Sequence, residues 1–149
     1  MKNLIAVFTL LLFGLAQVSL AQQAKDYKGH LIDAKGDVYF NSIKTGYITK
    51  DSLIKDAKGK QIGFINANGS VSDANGKQMG KMGKDGKTYY NSFGVVAFKV
   101  QDIDGETCNI LDAKGKKIGN VHDSYKGMSC ALHCFQNEMD MKKHSKTNH

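Results

Sequence analysis

The stretch that decides the fold is Asp56-Ala57-Lys58-Gly59-Lys60-Gln61-Ile62-Gly63-Phe64-Ile65. It returns as Asp73-Ala74-Asn75-Gly76-Lys77-Gln78-Met79-Gly80-Lys81-Met82, and again as Asp112-Ala113-Lys114-Gly115-Lys116-Lys117-Ile118-Gly119-Asn120-Val121. An altered copy runs from Asn91-Ser92-Phe93-Gly94-Val95 to Val100, and a copy two residues shorter runs from Asn41 through Gly46-Tyr47-Ile48. Alignment places Gly46, Gly63, Gly80, Phe98 and Gly119 at one position, with spacings of 17, 17, 18 and 21. Such repetition marks a supersecondary unit that is too small to bury its own apolar face.

Each unit reads as strand, turn, strand, turn. Asp or Asn opens the first turn by accepting bonds from backbone amides, and Gly closes it with a positive φ. Gly59, Gly76 and Gly115 are therefore expected to have positive φ. Upstream halves such as Gly36-Asp37-Val38, Asp51-Ser52-Leu53, Gly69-Ser70-Val71, Gly86-Lys87-Thr88 and Gly105-Glu106-Thr107 bring a β-favouring residue to each copy. Two residues beyond the aligned glycine stands Ile48, Ile65, Met82, Val100 or Val121, always apolar and so expected to face a core. The glycine shares that face, which implies a close approach there, and Phe98 is expected to fill the room the others leave. Strands this short need a shared core.

Composition narrows the function. Of 149 residues 41% are hydrophobic, which suits one small domain and excludes a disordered tail, a collagen or a multi-domain enzyme. Sixteen glycines with neither proline nor tryptophan fit a turn-rich β chain. All the basic residues are lysines. Bidentate reading of phosphates and base edges leans on arginine, so a specific nucleic-acid reader is disfavoured.

The N-terminus reads as an address. Lys2 precedes the apolar run Leu4 to Leu15, and Ser19-Leu20-Ala21 offers small residues for cleavage before Gln22. The run is short for a transmembrane helix and no second one follows, so no transmembrane segment is expected. Losing Lys2 with this leader lowers the formal net charge from +7 to +6. The expected location is secreted or periplasmic, with residues 1–21 as signal peptide, 22–135 as one β-repeat domain and 136–149 as a flexible polar tail.

The repeated D-A-N-G-K units, the leader and the apolar segment near the end resemble the small secreted five-fold β-flower family of bacteria, over residues 30–135. That resemblance implies an all-β fold of five short β-hairpin repeats in pseudo-five-fold arrangement around a shared core. It carries no established activity and no functional residues. Phe98, the shortened first unit and the His/Lys tail depart from the pattern.

Several constellations compete with plain structural readings. Cys108, Cys130 and Cys134 form a disulfide with one thiol left over, or stay unpaired. Cys130-Ala131-Leu132-His133-Cys134 offers soft ligands for copper or zinc, though a structural zinc site has tighter paired spacings. Asn66-x-Asn68-Gly69 and Asp102-x-Asp104-Gly105 are fragments of a calcium loop without its later ligands, and read as turns. Gly86-Lys87-Thr88 lacks the first glycine of a phosphate loop, because Lys81 stands there. Tyr39-Phe40-Asn41-Ser42 and Tyr89-Tyr90-Asn91-Ser92 place Tyr39, Tyr89 and Tyr90 as a shallow ligand platform, against the reading that one ring of each pair is core. No Ser/His/Asp set or carboxylate pair stands out for catalysis. Lastly, Met128 to Phe135 has apolar side chains on both parities, as in a buried strand or a plug that closes the assembly.

The expected function is a non-enzymatic secreted β-repeat module of the bacterial envelope, binding or structural, with an envelope or extracellular ligand and no cofactor. The alternative is a periplasmic metal- or redox-handling protein using Cys130, His133 and Cys134.

Overall fold

The computed structural model describes residues 28–147. The leader and its cleavage point before Gln22 lie outside them. Eleven strands form one closed barrel: β1 (His30–Ile32), β2 (Asp37–Phe40), β3 (Ile43–Ile48), β4 (Leu53–Asp56), β5 (Gln61–Ile65), β6 (Ser70–Asp73), β7 (Gln78–Met82), β8 (Thr88–Asn91), β9 (Val96–Asp102), β10 (Thr107–Asp112) and β11 (Lys117–His122). Neighbours in sequence pair antiparallel throughout. An odd number of alternating strands can close only through one parallel pair, and β1 supplies it by lying parallel to β11 with His30 opposite Gly119. After β11 come a 3₁₀ helix, Asp123–Ala131, and an α-helix, α1, Leu132–Thr147. The fold is therefore mostly β, with one C-terminal helix.

The turn chemistry read from the sequence is present. Asp56, Asp73 and Asp112 each accept two backbone amides through Oδ1, at 2.9 Å. Gly59, Gly76 and Gly115 have φ of 82, 83 and 83°. Asn91 serves the β8–β9 turn in the same way, with Gly94 at φ 74°. The shortened first unit turns on Asn41 and Ser42 alone, both at positive φ (49° and 68°), as a two-residue hairpin matching the strand twist requires.

Five ladders contain a one-residue register shift: β2–β3, β4–β5, β6–β7, β8–β9 and β10–β11. The residue skipped is always the one before the aligned position, namely Thr45, Ile62, Met79, Ala97 and Ile118. A bulge there bends the strand and increases its twist, which helps a sheet to close. Opposite the aligned position stand Val38, Ile54, Val71, Tyr89 and Ile110, all buried. The upstream residues read from sequence as equivalent thus hold only for Val38 and Val71. Leu53, Thr88 and Thr107 lie nearer their turns, by one, one and three residues from Ile54, Tyr89 and Ile110. Ile48, Met82, Val100 and Val121 are core as expected, and Ile65 packs against them from a half-buried position.

Turns β1–β2, β3–β4, β5–β6, β7–β8 and β9–β10 line one rim, called proximal here, and the others line the distal rim. The C-terminal segment goes in at the proximal rim, where Asp123 N–H donates to the Glu106 carbonyl (2.8 Å) and Tyr125 hydroxyl to the Lys35 carbonyl (3.1 Å). Asp123, Ser124, Gly127 and Ser129 are poor α-formers, which suits the tighter 3₁₀ turns. Cys130, Ala131, Leu132, Cys134 and Phe135 are then buried in the lumen. The outer turns of α1 leave at the distal rim beside Phe40, across an open groove of about 480 Å³ lined also by Gln136, Met139 and Lys143. The expected apolar plug is thus a helix rather than a strand. Residues 136–147, expected to trail as a tail, continue that helix with mostly exposed side chains.

The lumen explains the glycines. A Cβ on Gly63 would stand 2.6 Å from both the Cys134 sulfur and the Ser72 carbonyl oxygen, and one on Gly46 would stand 2.6 Å from the Phe135 ring. On Gly80 it would collide with the Tyr89 hydroxyl, and on Gly119 with His30. Phe98 takes the fourth position because its ring stacks on Tyr89, with centroids 4.8 Å apart.

Gly63→Ala should therefore cost about 1–3 kcal/mol through overpacking. Gly76→Ala, in open space but at φ 83°, should cost about 1 kcal/mol. Urea unfolding would rank the two, and equal costs would contradict the lumen assignment. Ending the chain after Gln136 should leave a cooperative thermal transition, whereas ending it after Gly127 should abolish that transition by emptying the barrel.

Candidate functional site

Three places gather chemically active side chains. In the lumen, the Tyr89 hydroxyl lies 2.7 Å from His133 Nδ1, with the rings edge-to-face at 5.5 Å. Burial raises the Tyr89 pKa and lowers that of His133, so a neutral hydroxyl is hydrogen-bonded to a neutral imidazole. The Cys134 sulfur faces Met79 Sδ at 3.5 Å and the Ser72 carbonyl at 3.9 Å. The Cys130 thiol turns to its own helix, 3.9 Å from the Gly127 carbonyl. Burial pushes both thiols up to about 12. A thiol needs its thiolate to attack or to bind metal, so these two are held inert.

At the proximal rim, donor atoms of Asp102, Cys108 and Asp123 lie within 4.8 Å of one another, the one such group among the described residues. The Cys108 thiol donates to Asp102 Oδ1 at 3.3 Å. Lys126 Nζ already bridges the carboxylates, 3.1 Å from Asp102 and 2.8 Å from Asp123, and Lys87 Nζ binds the other oxygen of Asp102 at 2.8 Å. Two ammonium groups thus match two carboxylates. These contacts hold the Asp102 carboxyl well below its ordinary range, Lys87 contributing most, and burial pushes Cys108 up to about 11. A metal ion here would have to displace Lys126. This network escaped the sequence reading because Asp123 and Lys126 reach Asp102 only through the turn into the 3₁₀ helix.

The third place is the outer surface. Tyr89 is fully buried while its neighbour Tyr90 is exposed, so the two cannot share one platform. Tyr39 is half-buried on another side of the barrel, with Phe40 against the His30 ring at 4.7 Å. The proposed platform of Tyr39, Tyr89 and Tyr90 is therefore not assembled. Nor do Cys130, His133 and Cys134 converge, since each faces a different partner. Cys108, Cys130 and Cys134 are all free thiols, so no disulfide joins them. The two calcium-like fragments are turns, in which Asn68 caps Ser70 N–H and Asp104 caps the amides of Glu106 and Thr107. Among the described residues no helix is long and apolar enough to cross a membrane.

Comparison with known proteins finds no matching family model, curated protein or solved structure.

Two outcomes follow from this chemistry. The three thiols should resist iodoacetamide in the native protein and react on unfolding, which mass spectrometry would count. Stability should fall on acidification below about pH 6.5. His30 and His133 both have pKa values lowered by burial from 6.5, so the unfolded chain binds the extra protons and gains as pH drops. Urea midpoints against pH measure this, and His133→Gln should flatten part of the slope.

Proposed function

We propose that this is a non-enzymatic secreted β-repeat protein, a binding or structural module of the bacterial envelope, built as a five-fold β-flower. The pseudo-five-fold arrangement is supported by the five bulges at one repeat position and by the aspartate or asparagine turns that recur with them. The observation that carries the functional reading is the filled lumen. Barrels that take small ligands hold them inside, but here the chain's own C-terminal segment occupies that space. Tyr89 and His133 satisfy each other, the thiols of Cys130 and Cys134 face backbone carbonyls, and the turn aspartates are used by backbone amides. Recognition is then left to the outer surface and the rims.

Expression with the leader in a bacterial host, followed by fractionation, tests the reading. The expected product is periplasmic or secreted protein beginning at Gln22 and carrying no stoichiometric copper or zinc. Retention in the cytosol starting at Met1 would refute export. One equivalent of metal, lost on replacing Cys130 and Cys134 by Ser, would establish the metal-handling alternative instead.

A further inference from the structure

The β8–β9 turn has the backbone of its sisters and different side chains. Asn91 Oδ1 accepts the amides of Phe93 and Val95 at 3.0 Å, as Asp73 accepts those of Asn75 and Lys77. Where the sister turns place Lys58, Asn75 or Lys114, this one places Phe93, and where they place Lys60, Lys77 or Lys116 it places Val95. Turn geometry does not ask for these apolar groups, and nor does the core. Phe93 is 88% exposed and Val95 58%. With Ile43, at 70%, they are the most exposed large hydrophobic residues described, and all three stand on the distal rim.

The same rim is basic. Its turns carry Lys58, Lys60, Lys77, Lys114 and Lys116 against Asp56, Asp73 and Asp112, whose carboxylates already accept backbone amides. The proximal turns reverse the sign, with Lys35, Lys50, Lys84 and Lys87 against Asp33, Asp37, Asp51, Asp85, Asp104 and Glu106. The molecule thus has an acidic end and a basic end. Helix α1 leaves the basic end beside Phe40, at β2, and β8–β9 lies across the ring from it. The apolar tip stands away from the helix exit, flanked by the turns that carry Lys77 on one side and Lys114 and Lys116 on the other.

We propose that this half of the distal rim docks on an anionic phospholipid bilayer, with Phe93 and Val95 inserted at the headgroup boundary and Lys77, Lys114 and Lys116 against the phosphates. Apolar side chains at a tip and a surrounding basic surface are the two signals that together give peripheral membrane attachment, where either alone is marginal. The charge separation between the ends orients the molecule before contact. The proposal rests on the envelope reading and names the partner within it.

The test uses the exported form beginning at Gln22, so that the apolar leader takes no part. Flotation with vesicles of equal parts phosphatidylglycerol and phosphatidylcholine should recover the protein, and pure phosphatidylcholine should recover far less. Phe93→Asn combined with Val95→Lys gives the tip the residues that the β6–β7 turn has at these two positions and adds a positive charge. Its thermal transition should be unchanged while vesicle affinity falls by about tenfold or more. An unchanged or tighter affinity would overturn insertion in favour of simple charge attraction. Because the chain has no tryptophan, Phe93→Trp is a single reporter whose emission should shift to the blue on anionic vesicles. Absence of that shift, or dimers that form through Phe93 without vesicle binding, would overturn the proposal and leave the result on export and metal content untouched.

Discussion

Eleven strands close into a ring wider than their own side chains can fill, and this constraint governs the rest of the molecule. Barrels of about eight strands fill with their own side chains, whereas one of eleven has room for a helix. Left open, the space between Val38, Ile54, Val71, Tyr89 and Ile110 would be a void, and a protein interior at close-packed density does not support one of that size. The segment from Tyr125 to Phe135 fills it. Burying Leu132 and Phe135 alone contributes about 1.5–3 kcal/mol each. Sheet and plug are mutually dependent, because strands of three to seven residues have little stability of their own.

The row of glycines follows from the same constraint. At three of four aligned positions a missing side chain is replaced by a group from elsewhere: Phe135 at Gly46, Cys134 at Gly63 and His30 at Gly119. At Gly80 the Tyr89 hydroxyl takes the room, on its way to His133. The fourth unit differs at several places together. It carries Phe98 for glycine within the lumen, and Phe93 and Val95 for polar residues at its tip. Inside, the change is accounted for by stacking on Tyr89. At the tip, nothing in the fold requires it.

Burial separates reactivity from recognition in this chain. Cysteines, histidine and tyrosine inside the barrel sit in a low-dielectric space that favours their neutral forms, so residue types associated with chemistry serve here as core. The one cluster with metal-like donors among the described residues is closed by Lys87 from the β7–β8 turn and by Lys126 from the 3₁₀ helix that also carries Asp123. What remains available to solvent is charge, divided between two ends, and a few apolar side chains concentrated at one of them.

Turn chemistry is local, and the sequence by itself determined it. Asp56, Gly59 and their counterparts identify hairpins from five consecutive residues, because side chain and backbone within a turn satisfy each other without outside help. Strand alternation is also local, which is why Ile48, Met82, Val100 and Val121 were legible as core, and why Tyr89 and Tyr90 separate to opposite faces. Other features belong to no single unit. β1 is three residues long and stands outside the five hairpins, the eleventh strand whose parallel pairing with β11 closes the ring, so no repeat announces it. The bulges shift the strand partners by one residue beside each aligned position, which no single unit's sequence reveals. Met128 to Phe135 showed its burial through composition, but its helical form and the divergence of Cys130, His133 and Cys134 were decided by the lumen. A helix points neighbouring side chains in different directions, and a closed wall gives each direction its own partner.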